Sequence, residues 1–153
     1  MLSESDLYAA LLNIPNLGIE SVEIKKKRLN IACKIVDSPA QVCPSCQVKV
    51  LKKTPKYRRE IRDLDISGRK VILYLLVHQY HCECGRTFSE SFDFISSGKS
   101  YTHRQAKWIF EMSAKQSHLQ VGALSDMCPK TVERKYVRRL KIFVPICGAL
   151  FKV

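Results

Sequence analysis

The residues best placed to do chemistry are two cysteine pairs, Cys43-Pro44-Ser45-Cys46 and Cys82-Glu83-Cys84. Cysteine binds metal as the thiolate, and four thiolates satisfy the tetrahedral preference of Zn2+ and close its coordination sphere, so such a site is structural. Between the pairs lies a basic stretch with the turn and alternation of a β-hairpin, and residues 43 to 84 therefore read as a zinc ribbon, two knuckle turns joined by one cation. Pro44 and Ser45 suit the first turn. The second pair has one intervening residue instead of two, and His81 stands three residues before Cys84, so an imidazole is an alternative to one of these thiols. A redox dithiol is the competing chemistry, but that motif belongs at the start of a helix after a strand, and basic, strand-like sequence follows Cys46. Four unrelated buried thiols would leave the paired spacing unexplained.

The elements that must position these thiols are small. A chain of 153 residues with 46% hydrophobic content fits one domain or two minor ones, each with a modest core, where a metal staple adds most. Seven cysteines is an odd count, and Met1 to Asn13 is acidic at Glu4 and Asp6 with neither a charged lead nor a long apolar run. A reducing cytoplasm with metal-bound thiols fits this better than a disulfide framework. No apolar stretch approaches the roughly 18 residues of a membrane helix. Net charge is +12, unevenly spread: residues 1–42 carry five Lys/Arg against five Asp/Glu, residues 43–101 eleven against six, and residues 102–153 ten against three. The excess in the ribbon and the C-terminal third is what a polyanion-binding surface requires, although solubility alone would also be served by it.

Taken in order, Leu7, Ala10, Leu11 and Ile14 recur at helical spacing behind a cap at Ser3 or Ser5, and Pro15 ends that helix. Val22 and Ile24, then Leu29, Ile31, Cys33 and Ile35, alternate as a β-hairpin bent at Lys25 to Arg28, with Cys33 on the core face. Beyond the first knuckle, Lys49, Lys52, Lys53, Lys56, Arg58, Arg59 and Arg62 crowd fourteen positions around Tyr57, a density suited to phosphates. Ile66-Ser67-Gly68 marks a turn. Lys70 to Tyr80 is a long strand apolar on both faces, Val71, Leu73, Leu75 and Val77 on one and Ile72, Tyr74, Leu76 and Tyr80 on the other, and so a central one. Ser96 to Ser100 reads as a linker.

After it the period changes to 3.6. Thr102 with Gln105 and Ser117 with Gln120 are capping boxes; Ala106, Ile109, Phe110 and Ser113 share one face, and Val121, Leu124 and Met127 point inward from a short second helix. Pro129 opens a third, in which Val132, Tyr136 and Leu140 form a narrow apolar stripe and Lys130, Thr131, Arg134, Arg138 and Lys141 occupy the opposite side and its flank. Three capped helices joined by short turns favour a helix-turn-helix, whose outer face offers guanidinium groups to guanine edges.

The sequence resembles the ISL-three insertion-sequence transposases over almost its whole length. Leu11 to Leu17 with Glu20-Ser21-Val22 is similar to that family's opening segment, Cys43-Pro44-Ser45-Cys46 and Cys82 to Phe88 to its knuckles, Arg62-Asp63-Leu64 with Gly68 to the hairpin between them, and Pro129 to Val132 to the start of its recognition helix. The resemblance implies a zinc ribbon and helix-turn-helix that bind terminal inverted repeats. Members continue into a ribonuclease-H-type domain with three catalytic carboxylates, whereas only Glu111, Asp126 and Glu133 are acidic after residue 101, so the chain is not expected to be an enzyme by itself.

The expectation is therefore an α+β protein: an N-terminal helix and β-hairpin over 1–42, a zinc ribbon over 43–95 and a helix-turn-helix over 101–145. Zn2+ on Cys43, Cys46, Cys82 and Cys84 would be structural. Lys52, Lys53, Arg58 and Arg59 would contact phosphates of double-stranded DNA, with other transposition or regulatory proteins and a second copy as further partners. The alternatives are a stand-alone transcriptional regulator derived from a transposase, and a ribbon that binds RNA or protein, with Tyr57, Tyr74 and Tyr80 stacking on bases.

Overall fold

The computed structural model describes residues 3–96 and 98–143, with side chains as far as Leu140, and divides into two compact units between Thr102 and His103. In the first unit, α1 (Glu4–Leu12) begins where the Ser3 hydroxyl accepts the Asp6 N–H and the Asp6 carboxylate accepts the Ser3 N–H; Asn13, in the left-handed region, ends it. Its rotation differs from the periodic expectation. Leu7 and Leu11 are half exposed, and Tyr8 and Leu12, one turn apart, meet the core instead. A nine-residue helix has too few turns for its stripe to fix its rotation, and the burial of Ile14 and Leu17 at the entry to β1 decides it.

The strands β1 (Leu17–Ile24) and β2 (Arg28–Ile35) form the expected antiparallel hairpin, with Leu29, Ile31 and Cys33 buried. β2 then pairs in parallel with β6 (Lys70–His81), whose other edge takes β5 (Lys53–Arg62) antiparallel, giving the order β1-β2-β6-β5. The segments read separately as 1–42 and 43–95 thus share one sheet. β5 turns into β6 through Ser67 and Gly68, both at positive φ (50° and 70°), as the twist of a tight hairpin favours. β6 is central, and Val71, Leu73, Leu75 and Val77 are buried on its core face. The opposite face is covered less than its apolar sequence suggests: Ile72, Tyr74 and Leu76 are half-buried, and only Tyr80, beneath the ribbon, is fully so.

A buried polar link ties the loop after β2 to the hairpin of β6 and β7 (Thr87–Ser89). Glu90 accepts from the Ser38 hydroxyl, from the His78 N–H at 3.1 Å and from His78 Nδ1 at 2.8 Å, while its own N–H donates to the His78 carbonyl at 2.9 Å. A buried carboxylate is tolerable because both its oxygens are satisfied. Asp63, also buried, accepts from Thr102 Oγ1 at 2.7 Å.

In the second unit, α2 (His103–Ser113), α3 (His118–Ser125) and α4 (Pro129–Phe143) gather around Ile109, Val121 and Val132, with Trp108, Met112 and Met127 at the edge. Ser117 and Gln120 make the expected capping box. Leu124, expected inward, is exposed, and Gly122 and Ser125 take the inner positions. The reason is close approach: a Cβ at Gly122 would lie 2.7 Å from the Met127 carbonyl oxygen, so only glycine lets α3 meet the turn into α4 here. On α4 the stripe is as read, Val132 buried and Tyr136 half-buried with its ring 5.2 Å from that of Phe110. Cys147 and the apolar tail after Phe143 lie outside the described residues.

Candidate metal centre and nucleic-acid interface

The first cysteine pair sits on a minimal ladder of β3 (Gln41–Val42) and β4 (Lys49–Val50). The Cys43 N–H donates to the Val48 carbonyl at 2.9 Å, and the Gln47 N–H donates to the Cys43 carbonyl at 3.0 Å, with Gln47 at φ 59°. The second pair follows β6, where the Cys82 N–H donates to the Arg86 carbonyl at 2.9 Å and the Gly85 N–H to the Cys82 carbonyl at 3.0 Å, with Gly85 at φ 84°. This second turn closes one residue sooner than the first. Glycine tolerates the left-handed backbone that such a turn demands, which is how one intervening residue still presents both thiols to the same point.

The four sulfurs converge. Cys43 Sγ is 3.7 Å from Cys84 Sγ, Cys46 Sγ is 3.5 Å from Cys82 Sγ, and all four lie within 4.8 Å of one another without a disulfide. Zinc–sulfur bonds of about 2.3 Å at tetrahedral angles set sulfur–sulfur separations of about 3.8 Å, so the cage fits structural Zn2+. The N–H groups of Cys46 and Ser45 aim at the Cys43 sulfur and lower its thiol from the ordinary cysteine range. His81 is turned away: its Nε2 lies 3.0 Å from Thr54 Oγ1, and it is not among the clustered ligands. Val50 and Tyr80 pack under Cys43, with Phe88 stacked on Tyr80 at 5.7 Å between ring centres. Cys33 belongs to the sheet core, where burial pushes its thiol up to about 12.

The cations expected to meet phosphate differ in their freedom. Lys52 and Lys53 are exposed with no ion-pair partner among the described residues, and Lys49 and Lys56 share that condition. Arg58 reaches across the sheet to Glu20 at 2.5 Å and to the Tyr74 carbonyl, while Arg59, half-buried on the other face of β5, donates to the Lys99 carbonyl. On α4, Lys130, Thr131, Arg134 and Arg138 are all exposed on the side away from Val132; Lys141 lies in the helix, its side chain outside the described residues. Leu51 is 78% exposed between β4 and β5, which no periodicity or motif in the sequence signals.

The family described as the zinc-finger of transposase IS204/IS1001/IS1096/IS1165 matches residues 39–84, less than a third of the chain, and its span contains all four clustered cysteines. No curated protein and no solved structure matches. The matched segment is of the transposase zinc-ribbon kind, and its four cysteines fit structural zinc.

Proposed function

We propose that the chain binds double-stranded DNA sequence-specifically, as the part of an ISL-three-type transposase that recognises terminal inverted repeats would. The match of residues 39–84 to a transposase zinc finger carries this reading. In it, α3 and α4 act as a helix-turn-helix: Arg134 and Arg138 read guanine edges, Thr131 a neighbouring base, and Lys130 and Lys141 contact phosphates. Lys52 and Lys53 supply further phosphate contacts from the ribbon, and Arg58 and Arg59 join them only by exchanging their present partners. The exposure of Lys130, Thr131, Arg134 and Arg138 supports the assignment.

The reading is one of binding, because the matched segment is a zinc ribbon, a non-catalytic domain. Glu111 pairs with Lys107, Asp126 closes α3, and the one gathering of metal ligands among the described residues is the four cysteines. A stand-alone regulator would use the same surface. A ribbon that binds RNA draws support from Tyr57, 44% exposed with Lys56 Nζ 5.8 Å from its ring centre.

Selection of bound duplexes from a random pool, followed by titration at two salt concentrations, tests the proposal. With four phosphate contacts, affinity should fall about a hundredfold between about 50 and 200 mM salt. Arg134→Ala should cost about 1–3 kcal/mol of discrimination at a single base pair. Salt-independent binding, or structured RNA that outcompetes the selected duplex, would overturn it.

A further inference from the structure

Leu51 is a leucine held out into water. It lies on the short connection between β4 and β5 and is 78% exposed, and Val48, just before β4, is 57% exposed. Isolated surface leucines are ordinary and by themselves carry nothing. Here both flanks are fixed: Val50 is buried in one cluster with Cys43 and Tyr80, and the Lys52 carbonyl accepts the His81 N–H at 3.1 Å. The backbone on either side of the exposed side chain is thus anchored to the sheet and to the first knuckle. Lys49, Lys52 and Lys53, its near neighbours in sequence, are exposed and without ion-pair partners among the described residues. A cleft of about 520 Å³ opens alongside, lined by Leu51, Lys49 and Lys52 and also by Glu83 and the Cys46, Cys82 and Cys84 thiols.

We propose that Leu51 is an apolar wedge that enters between base pairs of duplex DNA and bends it while the surrounding lysines hold the phosphates. This deepens the DNA-binding reading and rests on it. Charge complementarity and the anchored backbone favour duplex DNA as the partner. Exposed lysines on either side of Leu51 favour a polyanion, and an apolar tip between them gains only where the polyanion has an apolar interior, which duplex DNA offers between unstacked bases. Minor-groove proteins that insert such side chains kink DNA because the unstacked step is stabilised by the wedge. Sequence preference would then fall on flexible TA and CA steps that no polar group contacts.

The zinc-loaded full chain is titrated with a duplex of about 30 base pairs containing TA and CA steps, fluorescently labelled at both ends so that energy transfer reports bending. Wild type should bind and raise the transfer. Leu51→Ala should bind about tenfold more weakly, keep its zinc and its salt dependence, and leave the transfer at the value of free DNA; Leu51→Met should restore the bend. Lys49→Ala with Lys52→Ala should instead flatten the salt dependence. If Leu51→Ala bends the duplex as wild type does, the wedge is overturned while the DNA-binding reading stands. If wild type shows no salt-dependent affinity for any duplex, that reading fails and takes the wedge with it. If Leu51→Ala abolishes self-association in sedimentation and leaves DNA binding intact, the patch is a protein interface and the wedge is likewise overturned.

Discussion

Serine at position 84 would replace a thiolate with a hydroxyl that stays protonated at neutral pH, removing one corner of the cage. Cys84→Ser and Cys82→Ser should each lose stoichiometric zinc on gel filtration, read by atomic absorption, because three ligands forfeit much of the binding free energy of about 10–16 kcal/mol that such sites supply. His81→Ala should retain one zinc per chain, since its imidazole is given to Thr54. Loss of zinc from His81→Ala with retention in Cys82→Ser would reverse the ligand assignment. At this scale the metal site was legible, because thiolate spacing is a local property of the chain. Glu90 was not: nothing in its neighbourhood signals that Ser38 and His78, distant in sequence, would arrive to satisfy it.

Among elements, α3 offers the sharpest test, because helix propensity and packing predict opposite signs. Alanine stabilises a helix interior over glycine by about 1 kcal/mol when nothing else changes. Gly122→Ala should nonetheless destabilise the second unit by about 1–3 kcal/mol in urea unfolding, because the new methyl meets a backbone carbonyl at 2.7 Å that cannot rotate aside. The same alanine placed on the solvent side of the helix would show no such loss. The elements read correctly from sequence are those built from neighbours: the β1–β2 hairpin and the cap at Ser117 close within a few residues. The rotations of α1 and α3 were misread because short helices take their orientation from what they touch. The parallel register Arg28↔Lys70 to Cys33↔Leu75 was not legible either, since pairing across forty or so residues leaves no periodic trace.

For the molecule as a whole, the cores around Leu73 and around Ile109 belong to different units, and the knuckles lie in the first of them. Calorimetry should therefore resolve two transitions, and a chelator should lower the midpoint of one while leaving the other in place. A single transition that moves as a unit would show the two cores to be coupled. During synthesis, β6 is the piece on which everything upstream waits. Leu29, Ile31 and Cys33 leave the ribosome some forty residues before Val71, Leu73 and Leu75, which at about 5–20 residues per second is a delay of about 2–8 s. Cys43 and Cys46 likewise hold an incomplete cage until Cys82 and Cys84 emerge from the same strand's end. One late-arriving strand thus seals the nascent sheet and completes the zinc cage in a single stroke, so any translational pause before residue 70 would leave both half-made.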